Sequence, residues 1–116
     1  MAKVKIVTKP WGKEEILQIA PKYVVKRITI QAGHRMSLQL HELKEETIYV
    51  LSGNLIVWNS IVFEDNETFC PGSTIHVPPG TVHRFGAPEQ CDVIILECST
   101  TELADVVRLA DDYNRG

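Results

Sequence analysis

The chain has 116 residues, enough for one domain with a modest core, and none of its apolar runs approaches the length of a membrane span. Its 12 Lys and Arg against 15 Asp and Glu give a net charge of −3, with the two signs interspersed. That balance supplies neither a basic footprint for nucleic acid nor a polybasic membrane anchor.

The opening MAKVKIVTKPWG is basic but lacks the apolar block and small-residue cleavage site of a secretory signal, so a cytoplasmic location is expected. EEILQIA is the first β-type run, closed by Pro21. YVVKRITI follows and ends at the Gln31-Ala32-Gly33 turn. SLQLH and TIYVLSG come next, and Gly53-Asn54 predicts a hairpin into LIVWN. Residues 60–63 read as a further strand and 64–67 as a polar turn. Cys70-Pro71-Gly72 leads into STIHV, Pro78-Pro79-Gly80 interrupts the ladder, VHRF resumes it, and DVIILEC is the last strong run. Short strands at this spacing, without helical patterns between them, predict an all-β sandwich or barrel. In the tail, TELADVVRLADDYNRG, Leu103, Val106, Val107 and Ala110 fall at helical spacing with Thr100 or Thr101 to cap. A short helix or irregular segment is expected there, and one domain covers residues 1–116.

Cys70, Cys91 and Cys98 are odd in number and show no Cys-x-x-Cys spacing, which fits free thiols in a reducing compartment. Cys98 ends a buried-looking strand and is expected to be inert.

The chemistry concentrates in residues 33–53, GHRMSLQLHELKEETIYVLSG. Gln39 and His41 share a strand face because alternate side chains project together. Glu46 opens the next run five positions after His41, room for a turn that returns its carboxylate beside the imidazole. His83 arrives from GSTIHVPPGTVHRF. Met36, Leu38 and Leu40 alternate with the ligands, so their face needs cover from sheet flanks or a second subunit. A homodimer is the expectation.

Two spaced motifs here resemble those of the cupin superfamily. The first reads Gly33, Gln39-Leu40-His41, Glu46, Gly53, with glutamine in the place of the usual first histidine. The second reads Gly72, Pro78-Pro79-Gly80, His83, with Ala87 where asparagine is usual. The resemblance implies a small double-stranded jelly-roll barrel with Gln39, His41, Glu46 and His83 on one metal ion. KPWGKEE, VKRITIQAG, SLQLH, PPGTVHRF and VVRLADDYNR further resemble the cupin domain of type II mannose-6-phosphate isomerases. That similarity implies a small-molecule sugar phosphate as partner, and interconversion of mannose 6-phosphate and fructose 6-phosphate. Those isomerases are often fused to a guanylyltransferase domain. The chain is short for one and has no Gly-rich phosphate loop, so guanylyl transfer is not expected. Where that family tends to have a His-rich stretch after the first ligand histidine, this chain has Glu42-Leu43, and Lys44 stands in place of arginine.

A mixed N/O donor set without sulfur suits Zn²⁺, Mn²⁺, Fe²⁺, Co²⁺ or Ni²⁺, and the resemblance favours zinc. An isomerase also needs a phosphate anchor and a base. Arg35, Lys44 and Arg84 flank the ligands and are the candidate anchors, although alternation turns Arg84 away from the face of His83 and Phe85. Arg108 and Arg115 enter if the tail folds over the barrel mouth. Glu45, Lys44, His34 or a metal-bound water are open as the base. His76 reads as a plain surface or core histidine, and Trp11 and Trp58 as packing residues. Cupins also include iron-dependent dioxygenases and non-catalytic sugar- or nucleotide-sugar-binding modules, the two alternative classes.

Overall fold

The computed structural model describes residues 3–59 and 65–115. The strand expected at 60–63 lies outside them, as does Glu64. The strands are β1 (Lys5–Lys9), β2 (Gly12–Ile19), β3 (Val24–Ile30), β4 (Leu38–Leu40), β5 (Glu46–Ser52), β6 (Leu55–Trp58), β7 (Asn66–Phe69), β8 (Thr74–Val77), β9 (Arg84–Gly86), β10 (Val93–Ser99) and β11 (Val107–Ala110). No helix occurs among the described residues, so none is long and apolar enough to cross a membrane.

One layer is a six-stranded antiparallel sheet in the order β1-β2-β3-β10-β5-β8. The other is built from β7-β6-β9 and β11-β4, joined by isolated bridges between Gln39 and His83 and between Arg35 and Gly86. The core lies between the layers: Trp11, Ile28, Ile30, Ile48, Val50, Val93 and Ile95 meet Leu55, Val57 and Phe85 from the facing sheet.

Alternation explains which residues fill it. On β3, Val24, Lys26, Ile28 and Ile30 are buried; on β5, Glu46, Ile48 and Val50; on β10, Val93, Ile95, Glu97 and Ser99. Each inward row is apolar along most of its length and carries a charged residue toward one end. The antiparallel register sets Glu97 opposite Lys26 and Ser99 opposite Glu46. The barrel is therefore greasy in one half and charged in the other, and the site lies in the charged half.

Several sequence expectations change. Gly53-Asn54 closes no hairpin: β5 pairs with β10 and β8, while β6 pairs with β7 and β9, so this turn carries the chain from one sheet to the other. Gly53 has φ +78°, and a Cβ there would collide with the Asp92 carbonyl, so the crossover requires glycine. The polar stretch at 66–67 belongs to strand β7, and β1 forms from the basic opening segment. In the tail, Val107–Ala110 is a strand rather than a helix. It pairs with β4, whose free edge offers backbone hydrogen bonds that a four-residue helical turn could not match.

Met36 and Leu38 are covered within the chain, Met36 in the main core. Strict alternation begins only at Leu38, where β4 starts, so Met36 is free to turn inward. Cys98 is exposed, as is Cys70, and the three cysteines are free thiols. Inward parity on β10 belongs to Glu97 and Ser99, leaving Cys98 on the outer face.

The tail is tied down by charge. Asp105 accepts backbone N–H groups from Glu42, Leu43 and Lys44 at 3.1, 2.7 and 2.9 Å. Arg35 donates to Asp112 at 2.6 Å, and Arg115 to Asp111 at 2.9 Å. The Arg115 guanidinium holds the Asp111 carboxyl down at about 2, against the opposing pull of burial. A carboxyl depressed in the folded state adds stability that is complete above its unfolded value near 4 and is lost as pH falls through 2. Wild type is therefore expected to lose more thermal stability than Asp111→Asn between pH 5 and 2, and parallel melting curves for the two would refute that clamp.

Candidate metal centre

β4 and the start of β9 bring the two motifs together. Gln39 and His83 exchange backbone hydrogen bonds, each 2.9 Å, so their side chains stand side by side. His41 follows Gln39 on the same face, and Glu46 enters from the first position of β5. The His41, Glu46 and His83 ligand atoms all lie within 4.8 Å of one another, and all three residues are buried.

The imidazoles are already oriented for coordination. His41 Nδ1 donates to the Asp105 carbonyl at 2.5 Å and His83 Nδ1 to the Thr81 carbonyl at 2.9 Å. Each ring thereby presents an unprotonated Nε2, the tautomer a metal requires. Those Nε2 atoms stand 3.7 and 3.2 Å from Glu46 Oε1. His83 Nε2 is buried without a hydrogen-bond partner, which a native interior rarely tolerates unless another group satisfies it. A divalent cation does so, and the donor set fits one. Gln39 completes the ring: its amide nitrogen is 3.5 Å from His41 Nε2, while its oxygen accepts from Ser37 Oγ at 2.7 Å. Turning the amide over exchanges these atoms, presenting the oxygen to the centre with Ser37 Oγ as acceptor.

Behind the ligands runs a buried chain of alternating charge. Lys44 Nζ is 3.3 Å from Glu46 and 3.4 Å from Glu97; Lys26 Nζ is 3.9 Å from Glu97 and 3.1 Å from Glu14. Lys26, Lys44 and Glu97 are only 7, 5 and 4% exposed. Burial and the neighbouring Glu46 charge push the Glu97 carboxyl up. For Glu46, burial works against ionisation, but the Lys44 ammonium 3.3 Å away and the polar groups around the carboxylate outweigh it and hold the group far below the ordinary range. For Lys44, burial is likewise overcome, here by the Glu97 and Glu46 charges, and its ammonium is held more firmly. Sequence reasoning missed Lys26 and Glu97. The available signal was parity: Lys26 aligns with Ile28 and Ile30, and Glu97 with Val93 and Ile95, which marks both as inward.

The ligand end opens onto a cavity of about 90 Å³ whose wall includes Gln39, His41, Lys26, Lys44, Arg108 and Arg115. Of the three anchors expected from sequence, only Lys44 borders it. Arg35 lies across the Trp58 ring, 5.4 Å from its centroid, and pairs with Asp112. Arg84 is buried on the far side of β9, where it donates to the Ala110 carbonyl at 3.1 Å. Alternation next to His83 accounts for its direction. Among the candidate bases, Glu45 pairs with the exposed His76 at 2.6 Å and His34 bonds Tyr113 at 2.8 Å, so Lys44 alone reaches the cavity.

Solved structures sharing this architecture include a cupin-2 domain protein from Rhodospirillum rubrum (TM-score 0.79, 13% identity, 90% of this chain and 74% of that one). The polyketide cyclase RemF from Streptomyces resistomycificus matches with TM-score 0.78 at 23% identity, over 92% of this chain and 79% of that one. At these identities the likeness establishes the cupin fold and no more. In sequence, the chain is 32% identical over 112 residues to a mannose-1-phosphate guanylyltransferase from Escherichia coli K12, and 31% identical over 114 residues to the alginate biosynthesis protein AlgA from Pseudomonas aeruginosa. Each alignment covers 94% of this chain but only 23% of the relative. The profile of the mannose-6-phosphate isomerase C-terminal family matches residues 1–111, and the chain belongs to that family.

Proposed function

We propose that this domain is a metal-dependent isomerase that interconverts a phosphorylated aldose and ketose, mannose 6-phosphate and fructose 6-phosphate being the first pair. One observation carries the reading: two preoriented Nε2 atoms and a carboxylate, all buried, converge beside a cavity walled by cations. Gln39, His41, Glu46 and His83 would hold a divalent metal, zinc being favoured by family likeness. That metal would supply Lewis-acid polarisation of adjacent carbonyl and hydroxyl oxygens. Lys44 stays protonated between its two carboxylates, so it serves as a fixed positive charge for oxygens that become anionic along an enediolate path rather than as a base. Glu46 and Glu97 hold its ammonium in place.

The test is elemental analysis of the purified chain followed by a coupled assay with mannose 6-phosphate. Stoichiometric divalent metal is expected, with turnover that disappears on chelation and returns on reloading. A metal-loaded, folded protein without turnover would remove the isomerase reading. The names of the relatives favour a second reading, in which the domain binds a nucleotide sugar without transforming it. A rise in melting temperature with GDP-mannose, absent with mannose 6-phosphate, would select it.

A further inference from the structure

We infer that Arg108, delivered by the tail strand, is the anchor for the phosphate of the ligand. The inference rests on the sugar-phosphate reading above and moves the anchor away from Arg35 and Arg84. Five cationic side chains line the cavity, and four of them have a carboxylate close by. Lys9 lies 3.5 Å from Glu14, Lys26 3.1 Å from Glu14, Lys44 3.3 Å from Glu46, and Arg115 2.9 Å from Asp111. Arg108 alone has no carboxylate within 4.0 Å among the described residues, and its Nε is buried with no hydrogen-bond partner.

Its position gives that deficit a meaning. In the β4–β11 ladder, Arg108 is the direct cross-strand partner of Gln39. Paired residues of an antiparallel ladder project from the same face, so the guanidinium enters the cavity from the side that holds the ligand amide. Arg108 is half-buried with its Nε out of water, and a guanidinium cannot relieve that cost by losing a proton, as a lysine can. It stays short of an anion until one arrives. Its planar donors match the paired oxygens of a phosphate, which a lysine meets only as a point charge. A ligand whose phosphate sits on Arg108 then directs its sugar oxygens toward Gln39 and His41, the two ligands that line the cavity. The tail clamps at Asp105 and Asp111 hold β11 in that register.

The experiment measures affinity for mannose 6-phosphate, and for inorganic phosphate as a competitor, on the metal-loaded full chain by calorimetry. Arg108→Gln is expected to weaken both by about 10- to 100-fold, the range for losing charge-assisted hydrogen bonds, with metal content and circular dichroism unchanged. Arg108→Lys is expected to recover only part of the loss. Wild-type affinity retained in Arg108→Gln overturns the anchor, and so does a wild-type chain with no affinity for either probe. The two readings separate cleanly. Binding that depends on Arg108 without turnover removes the isomerase and keeps the anchor, whereas turnover with an unchanged KM in Arg108→Gln removes the anchor and keeps the isomerase.

Discussion

Lys44→Met is expected to destabilise the metal-free protein by about 3–5 kcal/mol, the range for removing one partner of a buried ion pair. Lys44 is 5% exposed and lies between Glu46 at 3.3 Å and Glu97 at 3.4 Å. Methionine keeps much of its volume, so the loss is electrostatic: two carboxylates would face each other in the interior with one compensating charge gone. Urea denaturation of both proteins measures it. Two controls fix the cause. Glu97→Gln added to Lys44→Met is expected to recover part of the loss, because it removes the stranded charge. Metal loading is expected to narrow the gap, because a cation bound at Glu46 takes over the compensation. A Lys44→Met protein as stable as wild type would mean that the charged half of the barrel is hydrated.

Glu46→Gln is expected to abolish stoichiometric metal retention, with affinity reduced by more than the roughly 10- to 100-fold typical of losing a group that merely supports a ligand. Glu46 supplies the one anionic donor of the set, and its Oε1 faces both imidazoles, at 3.7 and 3.2 Å. Glutamine preserves the shape and removes the charge. His83→Ala is expected to lose metal equally, whereas His76→Ala, at an exposed histidine paired with Glu45, is expected to retain it. Elemental analysis after gel filtration reads all three. Glu46→Gln also relieves the crowding of carboxylates around Lys44, so the variant is expected to fold. A Glu46→Gln variant that is folded but metal-free therefore isolates coordination from folding. Full metal content in that variant would show that the cation is held elsewhere.

Much of the site was legible in the chain because its information is local. Gln39 and His41 share a face through alternation over two residues, and Glu46 follows after one turn. His83 required the second motif, whose Pro78-Pro79-Gly80 break fixes where the strand resumes. The strands of the core were legible for the same reason: VVKRITI, TIYVL and DVIILEC carry their faces in their periodicity. The tail misled because Leu103, Val106, Val107 and Ala110 fit a helical period equally well. Four strand residues beside a turn leave too little pattern to choose.

What the sequence determined by itself was which side chains share a face, and hence that an amide, two imidazoles and a carboxylate could converge. The tertiary structure alone decided which strands become neighbours. It put Glu97 between Lys26 and Lys44, turned Gly53 into a crossover between sheets, and set Arg108 across from Gln39. The physical reason is that a period of two records inside against outside, while the choice and register of partner strands depend on contacts distant in sequence.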